Sequence, residues 1–138
     1  MNILFAGTPE SSSRILESLL KIEDVNIKGV ITQPDKRGKR GSELYQSYVS
    51  KVAKSSNIKT FKPHNLNSAG FKQDIIELNI DLLIVVAYGR ILIPELLQAP
   101  RLGCINIHAS LLPSYRGAAP IHWAVINGEQ ETGVCTMQ

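Results

Sequence analysis

An amide and an imidazole stand two residues apart in the stretch C-I-N-I-H-A-S, residues 104–110. Side chains two positions apart on a β-strand point to the same face, so Asn106 and His108 are expected to project together. Both groups can donate a hydrogen bond to one oxygen, which suits the oxyanion that forms on an attacked carbonyl. The imidazole can instead take a proton from the nucleophile, because imidazoles exchange protons near neutral pH. A purely structural hydrogen-bonding role for the pair is the alternative.

A long loop follows this predicted strand and reads S-L-L-P-S-Y-R-G-A-A-P-I-H-W, residues 110–123. Its prolines and its glycine interrupt regular structure. Leu111 and Leu112 are better explained by an apolar pocket than by exposure to solvent. Residues 87–94 follow the preceding apolar strand and are predicted to form the opposite wall of that pocket.

Strands and helices alternate along the chain, and this alternation positions the two loops. An unbroken apolar run at 81–87 is typical of a strand buried on both faces. Alternation of this kind predicts an α/β fold with an open, mostly parallel, Rossmann-like twisted sheet and helices on both faces. Such sheets bind ligands outside the carboxyl ends of their strands. We predict strands at 3–6, 25–31, 58–61, 81–87, 104–108 and 132–137, and helices at 9–21, 44–53, 71–79, 94–98 and 120–126.

The first turn, A-G-T-P-E, occupies the place of a dinucleotide-binding turn. Such a turn needs the pattern G-x-G-x-x-G so that its backbone can approach a pyrophosphate. Only Gly7 is present, and Pro9 and Ser12 stand at the other two positions. The turn therefore argues against a nucleotide cofactor. It either joins strand to helix without a further role or contacts another ligand.

Composition indicates one globular domain, because 43% of the 138 residues are hydrophobic and 20% are charged. The apolar runs are far shorter than the roughly 20 residues of a membrane span. The first residues lack a basic leader and a cleavage site, so we predict a cytoplasmic protein. Cys104 and Cys135 belong to no metal-binding pattern and are predicted to be buried, reduced thiols.

The excess of positive charge is concentrated in D-K-R-G-K-R-G, residues 35–41, which contain four basic residues and one acid. The rest of the chain has 11 basic and 11 acidic residues. A flexible cationic segment suits a phosphate backbone, although a solvated surface loop is the alternative. The helical spacing of Tyr45 and Tyr48 favours core packing over stacking on bases. The four cations are Lys36, Arg37, Lys39 and Arg40.

The motif N-I-H-A-S-L-L-P-S-Y-R-G-A-A-P-I, residues 106–121, closely resembles the signature of formyltransferases that use 10-formyltetrahydrofolate. These enzymes act on glycinamide ribonucleotide, on initiator methionyl-tRNA or on sugar nucleotides. The resemblance covers essentially the whole chain, including T-Q-P-D-K-R-G-K-R-G and V-V-A-Y-G-R-I-L-I-P. The cationic loop after T-Q-P-D-K is similar to that of the branch that formylates initiator methionyl-tRNA for translation initiation.

The resemblance implies roles for individual residues. Asn106 and His108 match the catalytic asparagine and histidine of the family, with no metal. Among the four cations, Arg40 is the strongest candidate for a contact with the tRNA. The resemblance also implies a set of residues that contact the formyl-folate: Ala87, Tyr88, Gly89, Arg90, Ile91, Ser110, Leu111, Leu112 and Pro113.

The resemblance also implies parts that these residues do not include. The family uses an aspartate further along the chain than Gln138, and the tRNA enzymes have a C-terminal tRNA-binding domain. We therefore expect residues 1–138 to be an N-terminal formyltransferase domain, incomplete at its C-terminus, monomeric, and with little or no transfer activity alone. Two alternatives are a formyltransferase acting on a sugar nucleotide or glycinamide ribonucleotide, and a non-catalytic folate-binding module.

Overall fold

A computed structural model describes residues 1–37 and 44–138 of the chain. The predictions for Lys39 and Arg40 fall outside these described residues. Within them, no helix combines the length and the apolar character that crossing a membrane requires.

Six strands form one sheet. They are β1 (Asn2–Gly7), β2 (Asn26–Ile31), β5 (Thr60–Phe61), β6 (Leu82–Val86), β7 (Cys104–His108) and β8 (Cys135–Met137). Their order in the sheet is β5-β2-β1-β6-β7-β8, and all neighbouring pairs are parallel except β7 and β8, which are antiparallel. The prediction of an open, mostly parallel, Rossmann-like sheet is therefore confirmed.

Helices cover both faces of the sheet, and each face has its own apolar cluster. The helices are α1 (Glu10–Leu19), α2 (Tyr48–Ser55), α3 (Ala69–Glu77), α4 (Pro94–Gln98) and α5 (Pro120–Ile126). One cluster joins Leu16 of α1 and Val49 of α2 to Phe5 of β1. The other joins Phe71 of α3 and Leu96 of α4 to the opposite sheet face. Side chains of β1 reach both clusters, which explains why this central strand is apolar throughout.

The predicted second helix is wrong at its start. Leu44 and Tyr45 form a short strand, β4 (Leu44–Tyr45), which pairs antiparallel with β3 (Lys36–Arg37). Helix α2 starts only at Tyr48, because the Ser47 hydroxyl accepts a hydrogen bond from the Ser50 backbone N–H at 3.0 Å and so caps the first turn.

Smaller differences concern the ends of other elements. Helix α1 begins at Glu10, one residue later than predicted, with Pro9 as its N-cap. Strand β5 has two residues and β8 has three, so both are shorter than predicted. The boundaries of α4 and β7 match the predictions.

Candidate active site

Strand β7 divides its side chains between the two faces of the sheet. Ile105 and Ile107 pack against the cluster under α1 and α2, whereas Cys104 packs against the cluster under α3 and α4. Because side chains alternate along a strand, Asn106 and His108 lie on the face of Cys104. The amide and the imidazole therefore project from the same face of the sheet, as the sequence predicts.

His108 is held by the loop that follows its strand. Its Nε2 atom lies 2.9 Å from the backbone carbonyl oxygen of Tyr115. A carbonyl oxygen can only accept, so Nε2 carries the proton in this contact. In the neutral ring, Nδ1 is then the nitrogen that can accept a proton. The loop therefore selects both the orientation and the tautomer of the imidazole.

Tyr115 itself is fixed through its hydroxyl group. The hydroxyl donates to a carboxylate oxygen of Glu129 and accepts from the Asn127 side-chain amide at 3.0 Å. The bond to Glu129 raises the pKa of the Tyr115 phenol above its ordinary value. Tyr115 also has a left-handed backbone, with φ of 55°, which an aromatic residue adopts at a cost. These hydroxyl contacts hold that conformation and thereby the carbonyl that binds His108.

The loop 110–114 turns back onto its own strand. Ser110 is fully buried, its hydroxyl donates to the Ser114 carbonyl at 2.8 Å, and its backbone N–H donates to the His108 carbonyl at 3.0 Å. Leu111 is 50% exposed. The backbone N–H of Leu112 donates to Sγ of Cys135 at 3.4 Å, so this free, half-buried thiol has a polar contact.

The loop after β6 is held by residues from two other strand ends. The Tyr88 carbonyl oxygen accepts from Thr8 Oγ1 at 2.9 Å and from Gln33 Nε2 at 3.1 Å. The Tyr88 ring is buried in the core under α3 and α4, and this burial raises the pKa of its phenol. Ala87 and Gly89 have left-handed backbones, with φ of 47° and 86°. The chain therefore makes a sharp turn at the edge where a parallel sheet binds ligands.

Arg90 ties the same loop to the end of β5. Its guanidinium donates to the carbonyl oxygens of Pro63 and His64 at 2.8 and 3.0 Å. Ile91, in contrast, is 93% exposed. Tyr88 and Arg90 thus make contacts within the protein, whereas the Ile91 side chain is available to a ligand.

The described part of the basic segment lies at the same edge of the sheet. Lys36 and Arg37 form β3 and are exposed. Asp35, just before them, accepts a hydrogen bond from Lys62 Nζ at 2.6 Å, which anchors the hairpin to the end of β5. The expectation that Tyr45 and Tyr48 pack in the core is wrong, because they are 62% and 51% exposed.

Comparison with known proteins shows the family to which the chain belongs. The sequence model of the family described as "Formyl transferase" matches residues 1–138. The chain is 51% identical to the methionyl-tRNA formyltransferase of Cyanothece sp., over 99% of the chain and 41% of the relative. It belongs to the formyl transferase family. The protein of the same name from Clostridioides difficile is 48% identical over 99% of the chain and 44% of its own length, so the chain spans about two-fifths of these relatives.

Solved structures agree with the fold of this formyl transferase domain. A phosphoribosylglycinamide formyltransferase from Bacillus halodurans superposes with a TM-score of 0.74 at 22% identity, covering 99% of this chain and 70% of the other. A sugar N-formyltransferase from Shewanella gives 0.63 at 20% identity, covering 99% and 50%. At this level of identity the two structures support the fold and leave the substrate open.

Several contacts in the formyl transferase domain were missed by sequence reasoning. The T-Q-P-D segment offered a signal, since polar residues directly after β2 must lie at the ligand-binding edge. In that segment, Gln33 donates a hydrogen bond to the Tyr88 carbonyl, and Asp35 accepts one from Lys62. The link from Glu129 to Tyr115 had no local signal, because the two residues lie on loops before and after α5.

Proposed function

We propose that the full-length protein transfers a formyl group from 10-formyltetrahydrofolate to the amino group of methionine on initiator methionyl-tRNA, for translation initiation. The observation that carries this proposal is the placement of Asn106 and His108 on one face of β7, at its carboxyl end. The loop 87–91 ends the adjacent parallel strand β6, so it lies at the same edge.

The reaction is the transfer of an acyl group between two nitrogens. The methionyl nitrogen forms a bond to the formyl carbon, and the carbon–nitrogen bond to the folate then breaks. The attacking amine loses a proton, and the folate nitrogen gains one. Between these events the formyl oxygen carries negative charge, and a preorganised donor directed at it lowers the barrier. We assign this role to the Asn106 amide.

His108 moves the proton in this proposal. Its Nε2–H is committed to the Tyr115 carbonyl, so Nδ1 is the nitrogen that accepts the proton of the attacking amine. A ring that is already held in one tautomer does not have to reorganise before the transfer. The Tyr115 contact thus fixes which nitrogen accepts the proton in this proposal, and the rate of the His108→Ala variant separates this role from a purely structural one.

The exposed apolar side chains of Ile91 and Leu111, on the loops after β6 and β7, support a formyl-folate as the donor. The face of β7 that presents the catalytic pair also borders the cluster that includes Tyr88, with Leu92 and Ile93 packed against it. Mostly apolar walls with a few directed polar groups are typical of small-molecule sites. Ser110–Pro113 supply the second wall, from the end of β7.

The basic segment supports the tRNA as acceptor. Lys36 and Arg37 are exposed on a hairpin that is anchored at the ligand-binding edge. Lys39 and Arg40 lie outside the described residues and enter the proposal on the sequence alone. The identity of 48–51% to proteins named methionyl-tRNA formyltransferase gives further support. A tRNA substrate would place the protein in the cytoplasm, and we infer that it acts as a monomer.

His108→Ala in the full-length protein tests the catalytic assignment. We expect the rate of formyl transfer to initiator methionyl-tRNA to fall by about 10²- to 10⁴-fold, the usual contribution of a general base, with the affinity for the folate retained. An unchanged rate would remove His108 from the mechanism. A full-length protein that binds folate but shows no transfer before or after the substitution is a binding module.

Replacing the four cations of the basic segment by glutamine tests the acceptor. The slope of log affinity for tRNA against log salt should flatten by about 3–4 for four lost phosphate contacts. If the affinity and its slope do not change, the acceptor is a sugar nucleotide or glycinamide ribonucleotide. Transfer assays with those two substrates then identify which one it is.

A further inference from the structure

Positive charge extends well beyond the hairpin along the chain. Residues 36–73 contain nine basic residues and a single acid, Glu43, whereas the rest of the chain contains six basic and 11 acidic residues. These counts sum to the net charge of +3 for the whole chain. The chain thus has a strongly basic region of 38 residues and an acidic remainder.

Part of this region forms an open groove between α2 and the edge strand β5. Its volume is about 670 Å³. Of the residues that the structure describes, three lysines and no carboxylate line it, and most of its other side chains are polar and uncharged. The lining residues are Gln46, Ser50, Lys54, Asn57, Ile58, Lys59, Thr60 and Lys62.

The groove is continuous with the hairpin β3–β4 at two points. Gln46 lines the groove and directly follows Tyr45, the last residue of β4. Lys62 lines the groove and binds Asp35, which directly precedes β3. A polymer that crosses the hairpin therefore reaches the groove without leaving the protein surface.

The surface that leads along α2 is aromatic and cationic. Tyr48 is exposed at the start of the helix, and Lys51 Nζ lies 5.4 Å from the centre of its ring. Lys54 follows in the last turn, where it is exposed. Exposed aromatic rings next to a basic groove are typical of surfaces that bind single-stranded nucleic acid.

Two of the groove lysines have carboxylate neighbours outside the groove. Lys59 Nζ lies 3.3 Å from Asp74, and both side chains are well exposed. An exposed pair of this kind is weak, so the ammonium can exchange its partner for a phosphate. Lys62 is better shielded and is used to hold the hairpin. Lys54 and Lys59 are therefore the groove lysines that can contact a ligand.

We propose that the groove between α2 and β5 is a second RNA-contact surface, which binds phosphates of the tRNA that the hairpin engages. This inference rests on the proposed function, because it takes the acceptor to be a tRNA. Lys54 and Lys59 neutralise backbone phosphates and release their counterions. The polar lining offers hydrogen-bond donors that do not read the base sequence.

The test measures tRNA binding by the full-length protein with Lys54→Gln and with Lys54→Gln plus Lys59→Gln. Each lost phosphate contact should reduce the salt slope by about 0.7–0.9 and weaken binding about fivefold near 0.15 M salt. Lys21→Gln is the matched control. Lys21 is likewise an exposed lysine next to the end of a helix, and it lies outside the basic region.

The outcomes separate this inference from the proposed function. If tRNA is bound and formylated, and Lys54→Gln behaves like Lys21→Gln, the groove proposal is overturned and the proposed function stands. If tRNA is neither bound nor formylated by the unmodified protein, the proposed function fails first. If Lys54→Gln weakens the binding of inorganic phosphate but leaves tRNA binding unchanged, the groove is a small-anion site and the proposal is again overturned.

Discussion

The turn after β6 depends on two hydrogen bonds to one atom, the Tyr88 carbonyl oxygen. Thr8→Val combined with Gln33→Leu removes both donors while it nearly preserves side-chain volume. A neutral hydrogen bond contributes about 1 kcal/mol net, so the double variant loses about 2 kcal/mol of anchoring. If all of this loss falls on the folate-competent conformation of the turn, folate affinity falls by up to about 30-fold, because 1.4 kcal/mol corresponds to tenfold.

The assay is equilibrium binding of tetrahydrofolate to the full-length protein by calorimetry, with thermal unfolding measured in parallel. We expect each single substitution to weaken binding by at most about fivefold, the equivalent of 1 kcal/mol. The double variant should lose more than the two singles together, because either bond alone can hold the turn. Thr60→Val is the matched control, since Thr60 also donates its hydroxyl to a backbone carbonyl, that of Ile58, away from the turn.

One result would refute this reasoning. If the double variant unfolds at the same temperature as the unmodified protein and binds tetrahydrofolate with unchanged affinity, the turn at Ala87–Ile91 does not form the folate site. A loss of affinity that Thr60→Val reproduces would show a general loss of stability, and it would refute the local argument as well.

Two further predictions concern the frame of the site. Gly7→Ala should destabilise the fold by at least about 1–3 kcal/mol in a thermal unfolding experiment, because a Cβ there would lie 2.9 Å from the Val86 carbonyl oxygen. Gly70→Ala is the control, and it should be neutral or stabilising because the space around Gly70 is open. Asp81 accepts from the Asn2 backbone N–H and from Arg101, and these bonds lower its pKa below the ordinary 3.8. Its stabilising contribution is therefore present above pH 3.8 and is lost as the pH falls through the lower folded value. Asp81→Asn should thus lower the stability by a constant amount above pH 3.8 and flatten the acid side of a stability profile.

Local patterns were sufficient wherever an element is determined by its own residues. The β7 boundaries followed from the alternation of apolar and polar side chains in residues 104–108, and α4 followed from a proline at its first position. Local patterns could not predict the contacts that organise the loops. Thr8 is 80 residues from Tyr88 along the chain, and Gln33 is 55 residues from it. No periodicity relates residues at such separations, because only the folded sheet brings the strand ends together.

The predicted start of α2 at Leu44 was wrong, which shows that helical periodicity can misplace an element even over a few residues. The apolar positions from Leu44 to Val49 fit a helix, and the signal against an early start is Ser47, a preferred N-cap residue. The partner that decides otherwise is β3, within the basic segment itself, which pairs with Leu44 and Tyr45 in a hairpin. Because Ser47 caps α2 behind the hairpin, Tyr45 and Tyr48 are left exposed instead of buried.

The sequence locates the basic segment correctly, but it does not show which other lysines lie near that segment in the folded protein. By count, residues 35–41 carry all of the excess positive charge, since the remaining 11 basic and 11 acidic residues cancel. That cancellation is only arithmetic, because Lys54 of α2 and the two lysines that flank β5 line one groove. Of the acids in the described residues, Asp74 and Asp35 pair with groove lysines. Exposed charges more than about 8–10 Å apart are screened at moderate salt, so distant carboxylates do not offset this surface. If the groove contributes, Lys54→Gln should reduce the salt slope of tRNA binding further when the four cations of residues 35–41 have already been replaced.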